Sequence, residues 1–348
     1  MIPIRNSKTS YSYVLFTAFL IASFFNFQSI RSQDIHFSQY YMADLSTNPA
    51  LTGVFDGDFR LSGVHRTQWR SVSQPFSTFQ LAADAKDFRK NEGLGLGIRI
   101  MNDRAGDSKF NTFTLSANLS KSSVLNSDGD LYLHSGIQFG FTQKSIDYSS
   151  LRFGEQFNGF SYDAYINNGE SQTRDNVTHA DIHVGLAVRR NLDYGRHWQI
   201  GVSAWNLNTP DVSFKDNARV NLQQRLALHG SYCVIIDDEW GIIPSSRIMV
   251  QGPYQEILLG SRFRYTWGYS ALEKRRAFLG LFSRLEDGAF ITAGLENNEW
   301  ALGLSYDINL SSLEIASRNR GAFEVTAVYI FDVFDEVRVL HKKCIDIL

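Results

Sequence analysis

His179, Asp181 and His183 recur at every second position of one segment, so an extended chain turns all three side chains to the same face. Imidazole and carboxylate together are zinc ligands, which makes this trio the first place to look for chemistry. No further ligand is suggested beside it, and a polar face on such a segment is more simply a wet one. Glu256, Arg262 and Arg264 share a face by the same parity and read as a ladder of opposite charges. Lining an open pore, such a ladder would set ion selectivity. Gly93-x-Gly95-x-Gly97 resembles a phosphate loop only superficially. It lacks the Lys-Ser/Thr that completes one and lies inside an alternating stretch, so it is read as a strand with a small-residue face. Ser and His are plentiful, yet no nucleophile elbow or other triad spacing occurs. Cys233 and Cys344 are too few for a four-thiolate zinc site or a disulfide framework. A bond between them and two separate thiols both remain open. The sequence assigns no catalytic, cofactor-binding or metal-ligating residue, and the expected role is not enzymatic.

The elements that would carry these side chains are foreshadowed by composition. The chain has 348 residues, a formal charge of -2, 20% charged residues and 14% aromatics. A near-neutral balance excludes a generally basic nucleic-acid binder and an acidic solvating chain. With 26 Gly but only 6 Pro, well under the usual ~5%, the chain suits long continuous strands better than linkers or disorder.

The N-terminus supplies a compartment. Arg5 and Lys8 precede an apolar run from Val14 to Phe27, followed by polar Gln28 to Ser32. That is the order of a secretory signal peptide, and the run is shorter than the ~20 apolar residues of a membrane-spanning helix. Residues 1–32 are therefore expected to be a cleaved signal, leaving a mature chain that starts at Gln33. No Cys sits just after that point, where a bacterial lipidation box would need it, so a lipid anchor is not expected.

Beyond it, period two dominates. Phe113, Leu115, Ala117 and Leu119 alternate with Thr112, Thr114, Ser116, Asn118 and Ser120. Trp300, Leu302, Leu304 and Tyr306 alternate with Ala301, Gly303 and Ser305. Leu131, Leu133, Ile137, Phe139 and Phe141 stand against His134, Gly136, Gln138 and Gly140, and Leu226, Leu228 and Tyr232 against Arg225, His229 and Ser231. Strict alternation is the strand signal. It predicts strands over 59–68, 76–84, 93–103, 109–120, 130–143, 178–189, 198–205, 223–233, 243–251, 255–265, 276–285, 289–297, 299–307 and 321–331. Many are as long as the ~9–11 residues a tilted strand needs to cross a bilayer, and several end in aromatics, as interfacial girdles require. The expected fold is all-β: a transmembrane antiparallel barrel of about fourteen strands over 59–331. A soluble sandwich would have shorter strands and more Pro-bearing turns. With the N-terminus periplasmic, the three longest gaps, 144–177, 206–222 and 308–320, fall on the outside, where barrels carry long loops. Segment 144–177 mixes polar residues with Phe153, Phe157, Phe160, Tyr162 and Tyr165 and is expected to contribute to partner binding. Basic pairs such as Arg189-Arg190 and Arg275-Arg276 sit at strand ends, suited to water or lipid headgroups. Residues 33–58 hold Phe37, Tyr40, Tyr41 and Leu45 but no partner strand, so they are expected to pack inside the barrel or across its periplasmic mouth. Residues 332–348 form a periplasmic tail.

The chain also resembles a known family. Gln39-Tyr40-Tyr41-Met42-Ala43-Asp44-Leu45-Ser46-Thr47-Asn48-Pro49-Ala50-Leu51-Thr52-Gly53, then Arg66-Thr67-Gln68-Trp69, is similar to the N-terminal box of the PorP/SprF family. The likeness continues through Gly201 to Pro210, Ile243-Pro244-Ser245-Ser246, Gln251-Gly252-Pro253, Ser305-Tyr306-Asp307-Ile308-Asn309 and Gly321 to Phe331. It departs at the end, where the family often closes on a Cys-Pro-Arg type tail and this chain has Cys344-Ile345-Asp346-Ile347-Leu348. Members are outer-membrane proteins tied to the type IX secretion system and gliding machinery of Bacteroidota. The resemblance implies a non-catalytic cell outer membrane barrel without cofactors. Its implied partners are type IX secretion components, a large secreted surface protein or adhesin, and outer-membrane lipid. The alternative function is an outer-membrane channel for small or hydrophobic solutes.

Overall fold

A computed structural model describes residues 34–68, 74–88, 92–106, 108–166, 174–216, 218–268, 275–285, 287–309 and 320–333. The expected signal over 1–32, Trp69, Cys344 and all but the first two residues of the tail lie outside the described residues. Fourteen strands follow one another: β1 (Phe59–Gln68), β2 (Phe76–Ala85), β3 (Leu94–Ala105), β4 (Phe110–Val124), β5 (Leu131–Ser145), β6 (Asn176–Asn191), β7 (His197–Trp205), β8 (Arg225–Ile235), β9 (Trp240–Gln251), β10 (Tyr254–Trp267), β11 (Arg275–Arg284), β12 (Gly288–Glu296), β13 (Trp300–Asn309) and β14 (Arg320–Phe331). Each pairs antiparallel with its sequence neighbours, and β14 pairs with β1 from Phe59↔Phe331 to Gln68↔Ala322, closing the sheet. Closure satisfies the edge groups that a bilayer could not hydrogen-bond. Among the described residues no helix is long and apolar enough to cross a membrane.

The predicted faces are the observed ones. Leu304 is 50% exposed on the outer wall while its neighbour Ser305 is 2% exposed inside. Phe113, Leu115 and Leu119 point outward, and Thr112, Thr114, Ser116, Asn118 and Ser120 are buried inward. Outward aromatics gather where β1 begins and β14 finishes: Phe59 stacks on Phe331 at 5.6 Å, Tyr329 on Phe331 at 5.7 Å, and Trp240 lies 4.8 Å from Tyr265. Rings at this level mark an interfacial girdle. The main departures are in length. β3, β4, β5, β6, β8, β10 and β13 run two or more residues past their predicted ends, β4 furthest, to Val124. The ladder there continues through residues such as Lys121, Ser122 and Ser123, which are polar on both faces and carry no alternation to read.

The barrel has two unlike mouths. At one, here the terminal mouth, β1 starts and β14 ends, and the connections are short, the longest being residues 86–93. At the other, the loop mouth, lie the described parts of the long connections, 146–166 and 206–224 apart from 217, together with Asn309 and Arg320, the strand ends that bound the third long gap. The strand ends that bound the three longest gaps thus share one mouth, as their odd-strand positions require.

Candidate functional site

The lumen is filled by the chain's own N-terminal segment. Residues 34–58 form a strap of short turns, Tyr40–Met42, Asp44–Thr47 and Pro49–Leu51. Of the two expected placements, inside the barrel or across its mouth, the strap takes the first, and it runs from one mouth to the other. At the loop mouth the Asp34 amide donates to Gln251 Oε1 (3.1 Å), and Asn206 Nδ2 donates to Asp34 Oδ2 (3.0 Å). Midway, Tyr41 pairs its hydroxyl with Thr292 Oγ1 at 2.7 Å. Near the terminal mouth Ser120 Oγ donates to Thr52 O (2.6 Å) and the Gly53 amide to Asp84 Oδ2 (2.8 Å). Phe37, Tyr40, Leu45 and Leu51 are buried on the way, so apolar burial holds the strap as well as polar pairing.

Three buried charge clusters on the wall take hold of it. Arg66 pairs with Asp307 (2.9 Å) and Glu324 (3.2 Å). Glu324 in turn accepts the backbone amides of Ser38 (2.9 Å) and Gln39 (2.8 Å), supplying partners that a strapless-sheet segment lacks. Glu256 pairs with Arg247 (2.8 Å), Arg284 (3.0 Å) and the strap's His36 (3.0 Å). Arg60 bridges Asp84 (2.7 Å) and the strap's Asp44, and also donates to Leu51 O at 3.2 Å. Charge-assisted bonds of this kind are short and directional, and in a low-dielectric interior each charge requires its partner.

Small residues let the strap touch the wall. Asn48 Nδ2 donates to the strand carbonyls of Leu186 (3.1 Å) and Val202 (3.2 Å). A Cβ at Gly185 would collide with the Asn48 side chain and one at Gly136 with the Pro49 backbone. Gly95 and Gly97 likewise face Thr52 and Leu45, which gives the predicted small-residue face its physical reason.

The polar residues singled out from sequence land in this frame. His179 Nδ1 lies 2.8 Å from Asp181 Oδ1, Thr142 Oγ1 donates to Asp181 Oδ2 (2.6 Å), and the Asn206 amide donates to His183 Nδ1 (2.9 Å). The trio does share one inward face, but both Asp181 oxygens and one nitrogen of each His are engaged within the wall. The expected ladder of Glu256 with Arg262 and Arg264 is not formed. Six residues along a strand span ~20 Å, so parity puts them on one face while depth keeps them apart. Glu256 binds the arginines of neighbouring strands instead, Arg262 lies over the Tyr41 ring (3.7 Å), and Arg264 Nη2 donates to Cys233 Sγ (3.5 Å). Cys233 is a buried free thiol. Arg190 and Arg276 at strand ends pair with Asp130 (3.0 Å) and Glu296 (3.5 Å). Sequence reasoning missed the carboxylates that grip the strap. Their signal was present: most blocks carrying the family resemblance are the strap itself or inward positions that touch it, among them Arg66, Ser203, Asn206, Gln251, Asp307 and Glu324.

Outside the loop mouth, residues 146–166 form a surface of short turns. Lys109 Nζ pairs with Asp147 at 3.2 Å, and hydrogen bonds from Ser149 and Lys109 hold the Asp147 carboxyl below the usual range. Asp211 is similarly lowered by the amides of Val220 and Ser213 in the neighbouring loop. On this scaffold Phe160 is 97% exposed and Tyr165 fully exposed, with Phe157 and Tyr162 beside them.

Among solved structures, the chain is similar to the Pseudomonas putida toluene transporter TodX, at 12% identity over 82% of this chain and 92% of that one, TM-score 0.47. It is similar to the Ralstonia pickettii toluene transporter TbuX at 11% identity, with the same coverage and TM-score 0.46. A Pseudomonas aeruginosa FadL homologue aligns at 10% identity over 82% of this chain and 93% of that one, TM-score 0.42. No curated protein matches the chain. The family model described as type IX secretion system membrane protein PorP/SprF matches residues 29–329. The chain with the strap-filled fourteen-stranded barrel therefore belongs to the PorP/SprF family of type IX secretion system membrane proteins.

Proposed function

We propose that this protein is an outer-membrane accessory of type IX secretion that holds a large secreted surface protein at its loop mouth, a binding role without a chemical step. The observation that carries this reading is the bare aromatic surface of residues 153–166, with Phe160 and Tyr165 in full contact with solvent. Aromatics are enriched in the buried centres of protein interfaces, and exposed clusters of them mark interaction sites. The strap favours binding over transport, because the space a solute would cross is packed with Phe37, Tyr40, Leu45 and Leu51. In this reading the chain is exported, the terminal mouth faces the periplasm and the loop mouth the cell surface. Deleting residues 155–170 tests it: the barrel should still assemble with heat-modifiable gel mobility, while copurification of an exported surface protein falls. Undiminished copurification would contradict it.

A further inference from the structure

The inward face of the wall changes character with depth. In the loop-mouth half of β8–β10, Arg225, Ala227, Arg247, Met249, Glu256 and Leu258 are buried. On the same face nearer the terminal mouth, Arg189, His197, Gln199, Ser231, Arg262 and Arg264 are only half-buried, above a floor of buried Cys233, Ile243 and Ser245. The strap explains the change. Below Tyr41 it turns toward β3–β7, where Asn48 contacts Leu186 and Val202 and Thr52 contacts Ser120; it reaches β8 through Asn48 on His229 and β10 through Tyr41 on Arg262, and leaves the last inward residues of β6–β8 and β10 partly open. These half-exposed side chains outline a shallow vestibule at the terminal mouth.

Its charge is one-sided. Arg189, Arg262 and Arg264 form no ion pair among the described residues, whereas Arg190 and Arg276 at the same level do. Arg189 Nε donates to Asn191 Oδ1 (3.0 Å), Arg264 to Cys233 Sγ, and Arg262 covers a ring. The Nε atoms of Arg262 and Arg264 are buried with no hydrogen-bond partner, as are those of Arg225, Arg247 and Arg284 in the other half, so what sets Arg262 and Arg264 apart is the lack of a carboxylate. No carboxylate stands on the inward face of β6–β10 in this half. Asp237 on the rim is bound into its own turn, accepting from the amides of Glu239 (2.9 Å) and Trp240 (2.7 Å).

We infer that this vestibule is a docking site for a carboxylate-rich peptide segment of a partner protein entering from the terminal mouth. Guanidinium groups with free donors match carboxylates. Arg262 and Arg264, two residues apart on one strand, are spaced ~6.8 Å along it, the repeat of alternate side chains on an extended peptide. The protein wall keeps membrane lipid from the site, which leaves a chain end or loop as the visitor. The site is separate from the aromatic loop surface, so its failure would leave the surface-protein reading standing.

The test uses the purified full-length barrel in detergent and a fluorescent peptide of alternating Glu and Ser, followed by anisotropy. Wild type should bind it at low salt, bind more weakly at physiological salt, and ignore a Lys/Ser counterpart. R262Q/R264Q should weaken binding by roughly tenfold or more while keeping heat-modifiable mobility, and Arg189→Gln alone should weaken it less. Arg190→Gln, on the outer wall, should bind as wild type does. Peptide binding unchanged in R262Q/R264Q, or absent in wild type at low salt, would overturn the proposal. Pyrophosphate binding as tightly as the peptide would also overturn it, since that is a free-anion site and not a peptide dock.

Discussion

Arg66, Arg247 and Arg284 in the loop-mouth half of the lumen each meet a carboxylate and are closed over by the strap, while Arg189, Arg262 and Arg264 in the terminal half meet none and stay half-open. The same strands, β8–β10 above all, contribute to both halves. The difference is therefore made by the course of residues 34–58, which bring Ser38, His36 and Tyr40 to one half and then cross to β3–β7. Paired charges beneath a strap act as a clamp. Unpaired charges beside one are available to something else.

Breaking the clamp should have the largest effect. Arg66→Ala strands Asp307 and Glu324 in a buried site, an expected loss of ~3–5 kcal/mol, read as a lower urea midpoint for unfolding from detergent. Leu304→Arg, on the outer wall, should cost ~2–4 kcal/mol near the bilayer midplane and lower the heat-modifiable fraction in membranes. Next is a size probe of the two halves. Ser305→Phe drives a ring into the filled half and should cost ~1–3 kcal/mol, whereas Ser231→Phe enters the vestibule and should stay within ~0.5 kcal/mol. Equal penalties would erase the distinction between halves. Asn48→Ala removes the bonds to Leu186 O and Val202 O and should cost ~1–3 kcal/mol. Arg264→Gln should be the mildest, within ~0.5 kcal/mol, because no ion pair is lost.

The sequence showed faces well and depth poorly. Alternation such as Phe113 to Ser120 reports which side chains look inward, since a single register slip would reverse every one of them. Fourteen strands and the sides of Leu304 and Ser305 were legible for that reason. The ends of β4 and β6 were not, because a ladder through Ser122, Ser123 or Arg190 has polar residues on both faces. Glu256, Arg262 and Arg264 show the second limit: parity put them on one face, but their partners are fixed by neighbouring strands and by the strap. The apolar side chains of residues 33–58 predicted burial. The path depended on where Asp84, Glu324 and Gln251 stand around a closed wall, which only the register reveals.

The central claim is that the strap threads the lumen from the loop mouth to the terminal mouth. Cysteines placed one at a time at Asp34 and at exposed Asp56, in a chain carrying Cys344→Ser and keeping the buried Cys233 as the unlabelled background, test it with a membrane-impermeant maleimide on intact cells. Asp34 borders the loop mouth through Gln251 and Asn206, and Asp56 lies beside the start of β1. The threaded strap requires Asp34→Cys to label on intact cells and Asp56→Cys to label only after lysis. Labelling of Asp34→Cys only after lysis, alongside Asp56→Cys, would contradict it.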